Sequence, residues 1–434
     1  MKAAVYTLGC KVNQVETEAI KESLIQDGYE IVDFPEAADV FIINTCAVTQ
    51  IADKKSRAVI RRARRINPLA RVVVTGCYSQ VFREQIESMG DIDLIIPNKD
   101  KEDLAGILKQ YISTGQAAND SLEREDKLQA IKYSERHHRT RAFVKIEDGC
   151  ESWCTYCIVP QARGRIRSKH PEDVLSEIQG MLDLGYREIV LTGIHIGQYG
   201  RDLEKWELVT LLEFLLYKLS GTYRLRLGSI EVSELNVRLR ELITGDRRLC
   251  RHLHIPLQSG SDKILHLMNR HYSSRQYLDL LQTVADNLPG IGLTTDVMVG
   301  FPGEGETEWH ETVSLIEGSP LNDLHVFRFS PRPGTRAATF SGTVSNEIKN
   351  FRSRQLIDLG ERKRYKFMKS LVGGKTQVLT EKRVDGVTRG LSDNYVEVDL
   401  EDQVPLNTLF NVGIQQQKQQ GTLAGVILDE NMKI

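Results

Sequence analysis

Three cysteines, Cys150, Cys154 and Cys157, stand in the loop GCESWCTYCIVPQARG, with three and then two residues between them. Thiolates at that spacing can ligate three corners of a [4Fe–4S] cluster and leave the fourth iron without a protein ligand. An iron left open can chelate the amino and carboxylate groups of S-adenosylmethionine and pass an electron into its sulfonium, releasing a 5′-deoxyadenosyl radical. Zinc is the other metal these thiols suit, with Cys250 or a histidine as fourth ligand. Zinc sites of the ribbon type usually pair two Cys-x-x-Cys knuckles, and the chain has no second pair, which favours the cluster.

A second trio lies near the amino terminus. Cys10, Cys46 and Cys77 are each expected at the last position of a strand, in YTLGC, INTC and VTGC. A parallel sheet would bring the three thiols to one crevice at its carboxyl edge. There they can hold another [4Fe–4S] cluster, again with one iron open. The competing reading is three unrelated buried cysteines, since a free thiol often packs as a small hydrophobe. Cys250 has no such setting and reads as core.

The elements needed to position these loops are legible as alternating periods. The first stretch runs KAAVYTLGC, a helix from Glu16 to Gln26, DVFIINTC, a helix from Ala52 to Ile66, RVVVTGC, DLIIPN and a helix from Leu104 to Tyr111. Strands alternating with helices predict a parallel α/β domain over residues 1–114. Residues 115–140 turn polar and charged, ending in SERHHRTR, and read as a linker. Residues 141–367 repeat strand then helix about six times, through AFVKIED, REIVLTG, YRLRLGSI, HLHIPL, IGLTTDVMVG and DLHVFRFS. That predicts a partial (β/α)6 barrel whose chemistry gathers at the carboxyl ends of its strands. From 371 to 434 short strands alternate with Gly and Asp turns, predicting a small β-barrel of the OB-like kind. The fold class is therefore α/β with an all-β tail.

With 57 Lys plus Arg against 59 Asp plus Glu in 434 residues, no global charge argument for nucleic acid or membrane survives. The start lacks an apolar signal region and no run reaches membrane-spanning length, so a cytoplasmic protein with no membrane partner is expected. In that compartment thiols stay reduced, and seven cysteines point to metal or catalytic work before disulfides. Local basic footprints exist: the helix from Ala52 carries Lys54, Lys55, Arg57, Arg61, Arg62, Arg64 and Arg65. It can meet phosphates or be a solvated helix face. The tail from Leu371 has 6 Lys plus Arg against 9 Asp plus Glu, which suits a basic protein as well as RNA. RNA binding there would rest on a locally basic strand with Lys382, Arg383 and Arg389.

The cysteine loop resembles the signature of the radical SAM superfamily. Segments that look like its cofactor-binding strands follow in order: LTG ending at Gly193, LGSIEVSEL with Ser229 and Glu231, and HIPLQSGS with Gln258 and Ser259. The resemblance implies that these five residues and Tyr156 bind the cofactor. Taken singly, each is equally an ordinary turn or hydrogen-bonding residue. The phrases TLGCKVNQ, NTCAVT, GCY and CTYCIVPQARG together resemble the radical SAM methylthiotransferase family over nearly the whole chain, and the tail resembles the TRAM module that family carries.

Membership would imply two [4Fe–4S] clusters and S-adenosylmethionine as cofactors, one cluster opening a C–H bond through a radical and the other delivering sulfur. It would imply an electron donor such as flavodoxin or ferredoxin. LTGIHIGQYG, and TLGCKVNQ followed by ETEAI, resemble the type that adds a methylthio group to C2 of N6-threonylcarbamoyladenosine at tRNA position 37, with the anticodon stem-loop as partner. The other readings are isopentenyladenosine in tRNA, an aspartate of a ribosomal protein, or a non-catalytic zinc-dependent RNA-binding protein.

Overall fold

A computed structural model describes residues 1–116, 128–134, 139–401, 403–418 and 421–428 of the chain. Part of the expected linker, and residues 135–138 of SERHHRTR, lie outside the described residues.

The amino-terminal unit runs β1 (Lys2–Thr7), α1 (Lys11–Gln26), β2 (Glu30–Val32), β3 (Val40–Thr45), α2 (Gln50–Ile66), β4 (Arg71–Gly76), α3 (Cys77–Val81), α4 (Arg83–Glu87), β5 (Leu94–Ile95) and α5 (Leu104–Thr114). Its sheet is parallel in the order β2-β1-β3-β4-β5. β3 is buried at all six positions because helices cover both faces, so it reads as a continuous apolar run, not an alternating one. Two helices begin earlier than the sequence pattern predicts. α2 starts at Gln50 because the Thr49 hydroxyl caps it, accepting from the Ala52 N–H at 3.1 Å. α1 starts at Lys11, with Val12, Val15, Ile20 and Leu24 giving it one buried stripe.

The central unit follows as β6 (Ala142–Lys145), β7 (Glu147–Asp148), α6 (Val159–Arg163), β8 (Arg167–Ser168), α7 (Pro171–Asp183), β9 (Glu188–Thr192), α8 (Leu208–Lys218), β10 (Arg224–Leu227), α9 (Val237–Gly245) and β11 (His252–His254). It continues with α10 (Asp262–Leu267), α11 (Ser274–Asn287), β12 (Gly292–Val299), α12 (Glu306–Gly318), β13 (Asp323–Arg328) and α13 (Asn346–Ser370). The six main strands form two parallel triplets, β6-β9-β10 and β11-β12-β13, joined by single bridges at Leu225–Leu249 and Ser229–His254. This is an open, partial barrel. Ile189, Leu191, Leu225, Leu253 and Leu293 pack outward against Ile178, Leu212, Leu215, Tyr277 and Leu281 of the helices.

The inward positions of β10 carry charge instead. Arg224 and Arg226 alternate with Leu225 and Leu227, and each donates through Nε to buried Glu188 at 2.7 Å. Their remaining donors reach into the carboxyl-terminal unit, a closed five-stranded barrel of β14 (Lys375–Val384), β15 (Val387–Ser392), β16 (Glu397–Leu400), β17 (Leu409–Gln417) and β18 (Leu423–Ile427). Arg224 donates to the carbonyls of Gln377 and Leu391 at 2.8 Å, and Arg226 to those of Ser392 and Asp393 at 3.1 and 3.0 Å. The β15–β16 turn thereby carries Tyr395 onto His252, with ring centroids 4.5 Å apart. The small barrel therefore floors the partial barrel at the amino ends of its strands.

Glu188 gives this junction a pH dependence. Burial alone would raise its carboxyl, but Arg224 and Arg226 overcome that and hold it well below the usual carboxylate range. The unfolded chain, with a pKa of about 4.3, therefore binds the proton first as pH falls. The stabilisation is complete above that value and is lost below it, toward the lower folded value. In urea unfolding the advantage of the wild type over Glu188→Gln should shrink by up to about 1.4 kcal/mol per pH unit below about pH 4. A difference independent of pH would remove Glu188 from this role.

No helix among the described residues is long and apolar enough to cross a membrane.

Candidate functional site with two cysteine trios

The loop bearing Cys150, Cys154 and Cys157 leaves β7 through Gly149, whose φ is +92° and where a Cβ would lie 2.0 Å from the Arg165 carbonyl oxygen, so no side chain fits. It is clamped to the carboxyl end of the barrel. Thr155 donates its N–H to Met268 O at 3.0 Å and its hydroxyl to Leu267 O at 2.8 Å. Asn269 donates to the carbonyls of Ser152 and Trp153 at 3.3 Å.

Polar groups meet the sulfurs. His195 Nδ1 is 3.6 Å from Cys150 Sγ and 3.2 Å from Ser152 Oγ, while its Nε2 pairs with Glu234 at 2.7 Å. Burial opposes charge on this imidazole, yet Cys150 and Glu234 raise it to about 10. Arg270 donates to Cys154 Sγ at 3.6 Å and pairs with Glu231. Burial pushes the Cys157 thiol up to about 12, whereas His195 and Ser152 overcome burial at Cys150 and lower its thiol.

At the amino-terminal sheet Cys46 and Cys77 directly follow β3 and β4, and Cys10 sits three residues beyond β1 as the residue before α1. The three cysteines thus stand one to three residues beyond the strands rather than at their last positions, because the hydrogen-bonded ladders stop at Thr7, Thr45 and Gly76. All three thiols still meet at the carboxyl edge. Gly9 packs so closely that a Cβ there would be 2.9 Å from Cys46 Sγ, and Cys10, Cys46 and Cys77 lie within one another's electrostatic field. Burial raises Cys46 to about 11.

Arg163 ties the two loops together. The cysteine loop runs on into α6, which packs on α3 and buries Arg163 beside the amino-terminal trio. The guanidinium bonds Glu16 and Asp148 at 2.8 Å and Asn13 Oδ1 at 2.5 Å. Glu16 also holds Lys101 at 2.7 Å and Lys145 at 3.4 Å. Burial works against charge on Glu16, but Arg163, Lys101 and Lys145 hold its carboxyl well below the usual range. From the same helix Ala162 O accepts from Asn98 Nδ2 at 2.6 Å, and that amide is 4.0 Å from Cys77 Sγ.

The donor chemistry fits two open [4Fe–4S] clusters. Each site offers three thiols, all seven cysteines are free of disulfides, and Arg270, His195 and Asn98 stand ready to offset thiolate charge. Cys250 does not serve as a fourth ligand: it is buried at the barrel floor, in the field of Arg224, Arg226 and Glu188.

The expected cofactor-binding residues fall into two groups. Tyr156 lies in the field of Cys154, Cys157, Arg270 and Glu231. Gly193 abuts Glu147, where a Cβ would be 2.7 Å from Oε2, and that carboxylate accepts from the His195 N–H at 2.7 Å. Burial raises the Glu147 carboxyl to about 8. Tyr156, Gly193 and Glu231 are thus brought to the cysteine loop. Gln258 adopts φ of +63° and bonds β12 through its backbone, at Asp296 O and Met298 N–H. Ser229 bridges β11 with its side chain exposed. Ser259 is buried, its hydroxyl engaged with Thr312 Oγ1 at 3.3 Å and the Ser261 N–H at 3.2 Å.

Sequence reasoning singled out none of Arg163, His195, Arg270, Glu147, Asn13 and Asn98. Arg163 and His195 stood in segments already marked for chemistry, PQARG and LTGIH, and that proximity was the available signal. Of the basic residues on α2, Arg64 is tied to Asp93 at 2.6 Å and Arg57 to the Tyr78 hydroxyl at 2.6 Å. Lys54, Lys55, Arg61 and Arg65 are exposed and make no ion pair among the described residues. On the small barrel Arg389 is committed to Asp399 at 2.6 Å, Lys382 pairs with Glu397 at 3.6 Å, and Arg383 bonds Thr388.

Residues 2–97 match the family described as "Uncharacterized protein family UPF0004", and residues 144–316 match the radical SAM superfamily. The chain is 39% identical over 402 residues to the threonylcarbamoyladenosine tRNA methylthiotransferase MtaB of Bacillus subtilis (strain 168), covering 91% of this chain and 89% of that one. It is 35% identical to MtaB of Aquifex aeolicus (strain VF5), over 95% and 100% of the two chains. A tRNA-2-methylthio-N(6)-dimethylallyladenosine synthase of Clostridium botulinum (strain Langeland / NCTC 10281 / Type F) is 34% identical, over 87% and 85%. Among solved structures, the radical S-adenosylmethionine methyltransferase TsrM of Kitasatospora setae aligns with a TM-score of 0.61 at 14% identity, over 78% of this chain and 77% of that one, a likeness of fold.

Proposed function

Because the chain belongs to the MtaB type of the radical SAM methylthiotransferase family, we propose that it adds a methylthio group to C2 of N6-threonylcarbamoyladenosine in tRNA, at position 37 beside the anticodon. The observation that carries this reading is the pairing of two cysteine trios across Arg163. When bound, [4Fe–4S] clusters at Cys150, Cys154 and Cys157 and at Cys10, Cys46 and Cys77 would supply reductive opening of S-adenosylmethionine and delivery of sulfur. The C2–H bond of adenine has no useful acidity, so no general base in the site can replace that chemistry.

The chain's own residues hold the reaction space. Thr155 and Asn269 fix the barrel loop against α10 and the turn after it. His195 and Arg270 place positive charge against Cys150 and Cys154. Tyr156, Gly193 and Glu231, together with Ser229 and Gln258, are the proposed frame for S-adenosylmethionine, through the Tyr156 ring, the Gly193–Glu147 contact and the Glu231–Arg270 pair, whereas Ser259 leaves it because its hydroxyl is engaged by Thr312. The exposed Lys54, Lys55, Arg61 and Arg65 of α2, which begins four residues after Cys46, would meet the anticodon stem-loop phosphates. The carboxyl-terminal barrel would act as a TRAM module through shape, since Lys382 and Arg389 are paired within it. A cytoplasmic flavodoxin or ferredoxin would supply the electron.

Nucleosides from tRNA of cells lacking this protein, compared by mass spectrometry with wild type, test the reading. The 2-methylthio derivative of threonylcarbamoyladenosine should vanish and its unthiolated precursor accumulate; an unchanged amount would overturn it.

A further inference from the structure

β13 is the edge strand of its triplet, so the partial barrel is open along that side. Its side chains alternate. Leu324 and Val326 join the core, Leu324 lying against Gly360 of α13, and this turns His325 and Phe327 toward the barrel interior. Both are half exposed there. An aromatic ring and an imidazole on one accessible row are the groups that meet a base by stacking and an anion by charge.

His325 is held in position by its neighbours. Its Nδ1 meets Asp296 Oδ1 of β12 at 3.3 Å, the same oxygen that His254 Nε2 of β11 meets at 3.2 Å. His254 is fixed in turn by Thr294 Oγ1 at 2.9 Å from its Nδ1, and the two imidazoles stack with centroids 5.3 Å apart. Asp296 raises the His325 imidazole above its ordinary value against partial burial, which favours the charged form. One carboxylate thus serves two imidazoles, and His325 Nε2 has no partner among the described residues. That leaves an N–H donor for a second anion.

The same row leads to the reacting centre. Met298 stands opposite Phe327 in the β12–β13 register and packs on the apolar cluster that also receives Tyr156 of the cysteine loop. His325 lies two residues back along the strand, about 7 Å further from that loop. In adenine, C2 and the N6 substituent flank N1 on one edge. A base stacked on Phe327 with C2 toward the cysteine loop would extend its N6 substituent down the row to His325.

We propose that the inward row of β13 reads the target base: Phe327 stacks on the adenine, and His325, positioned by Asp296, binds the carboxylate of its threonylcarbamoyl group. This deepens the proposed function and rests on it. A neutral or apolar N6 substituent leaves the charge-assisted bond unmade, and the discrimination follows from that.

The test uses two anticodon stem-loop RNAs, one with the natural threonylcarbamoyl group and one with its carboxylate converted to the amide, given to the reconstituted holoenzyme and its variants. The wild type should prefer the acid by about 10- to 100-fold in kcat/KM, the range of a hydrogen bond to a charged group. His325→Gln should bring that ratio close to one, His325→Arg should restore part of it, and Asp296→Asn should lower it. A general loss of structure would weaken both RNAs alike and leave the ratio where it was. Phe327→Ala should raise KM for both RNAs by roughly 10-fold and keep the ratio. A ratio unchanged in His325→Gln would overturn the reading of the carboxylate, and an unchanged KM in Phe327→Ala would overturn the stacking. A wild type that modifies both RNAs equally would overturn the role of His325 while leaving the proposed function standing. A wild type that modifies neither would fail the function itself, and this inference with it.

Discussion

Replacing Cys154 by Ala should lower reductive formation of 5′-deoxyadenosine from S-adenosylmethionine by at least about 10³-fold, more than about 4 kcal/mol of activation free energy. The sulfur it removes is the one that Arg270 meets at 3.6 Å, and no free thiol stands by to replace it, since Cys250 lies at the opposite, floor end of the barrel. Iron analysis after anaerobic reconstitution should fall from about eight to about four atoms per chain. The Cys10, Cys46 and Cys77 set lies on a separate sheet edge and should keep its share. Cleavage that persists in Cys154→Ala would refute the assignment of the barrel trio; iron lost from both sites would refute their independence.

The second large effect is expected at Arg163. Its guanidinium is buried between Glu16 and Asp148, both carboxylates being themselves buried. Arg163→Met would leave those charges facing each other with only Lys101, Lys145 and Arg167 to answer them. Breaking one partner out of a buried network costs about 3–5 kcal/mol, because the remaining ions stay desolvated. Anaerobic urea unfolding should show that loss as a lower midpoint, and Glu16→Gln in the same chain should recover part of it by removing one uncompensated charge. The double variant being as unstable as the sum of the two single variants would mean that Arg163 acts by packing alone. Arg163 is also the side chain that holds the barrel loop against the amino-terminal trio. The variant should therefore lose methylthio transfer even at temperatures where it remains folded.

The parts of the site that depend on neighbouring residues were readable without coordinates. The spacing of Cys150, Cys154 and Cys157 is a property of one loop. The recurrence of Cys10, Cys46 and Cys77 after apolar strands required only the period of a parallel sheet to place them together. The error of one to three residues at those strand ends reflects hydrogen-bond ladders that stop before the cysteines, which no propensity reveals. Helix starts were misjudged for a similar reason: the cap at Thr49 sets α2, whereas the apolar period is evident only from inside the helix.

Other residues changed meaning on folding. Ser259 reads in sequence as a polar group available to a ligand, but its hydroxyl is spent on Thr312, 53 residues away. Lys382, Arg383 and Arg389 read as a basic strand, but Glu397, Thr388 and Asp399 on neighbouring strands engage them, while Lys54, Lys55, Arg61 and Arg65 of α2 are exposed and make no ion pair among the described residues. The sequence by itself determined the three-part architecture, the two thiol trios and the family, because period, spacing and residue type are carried locally along the chain. Only the tertiary structure decided that Arg163 joins the trios through Glu16, 147 residues away, and that Tyr395 and the arginines of β10 floor the barrel. Whether a buried charge is answered or left open depends on which distant groups share its low-dielectric surroundings, and that is fixed by packing alone.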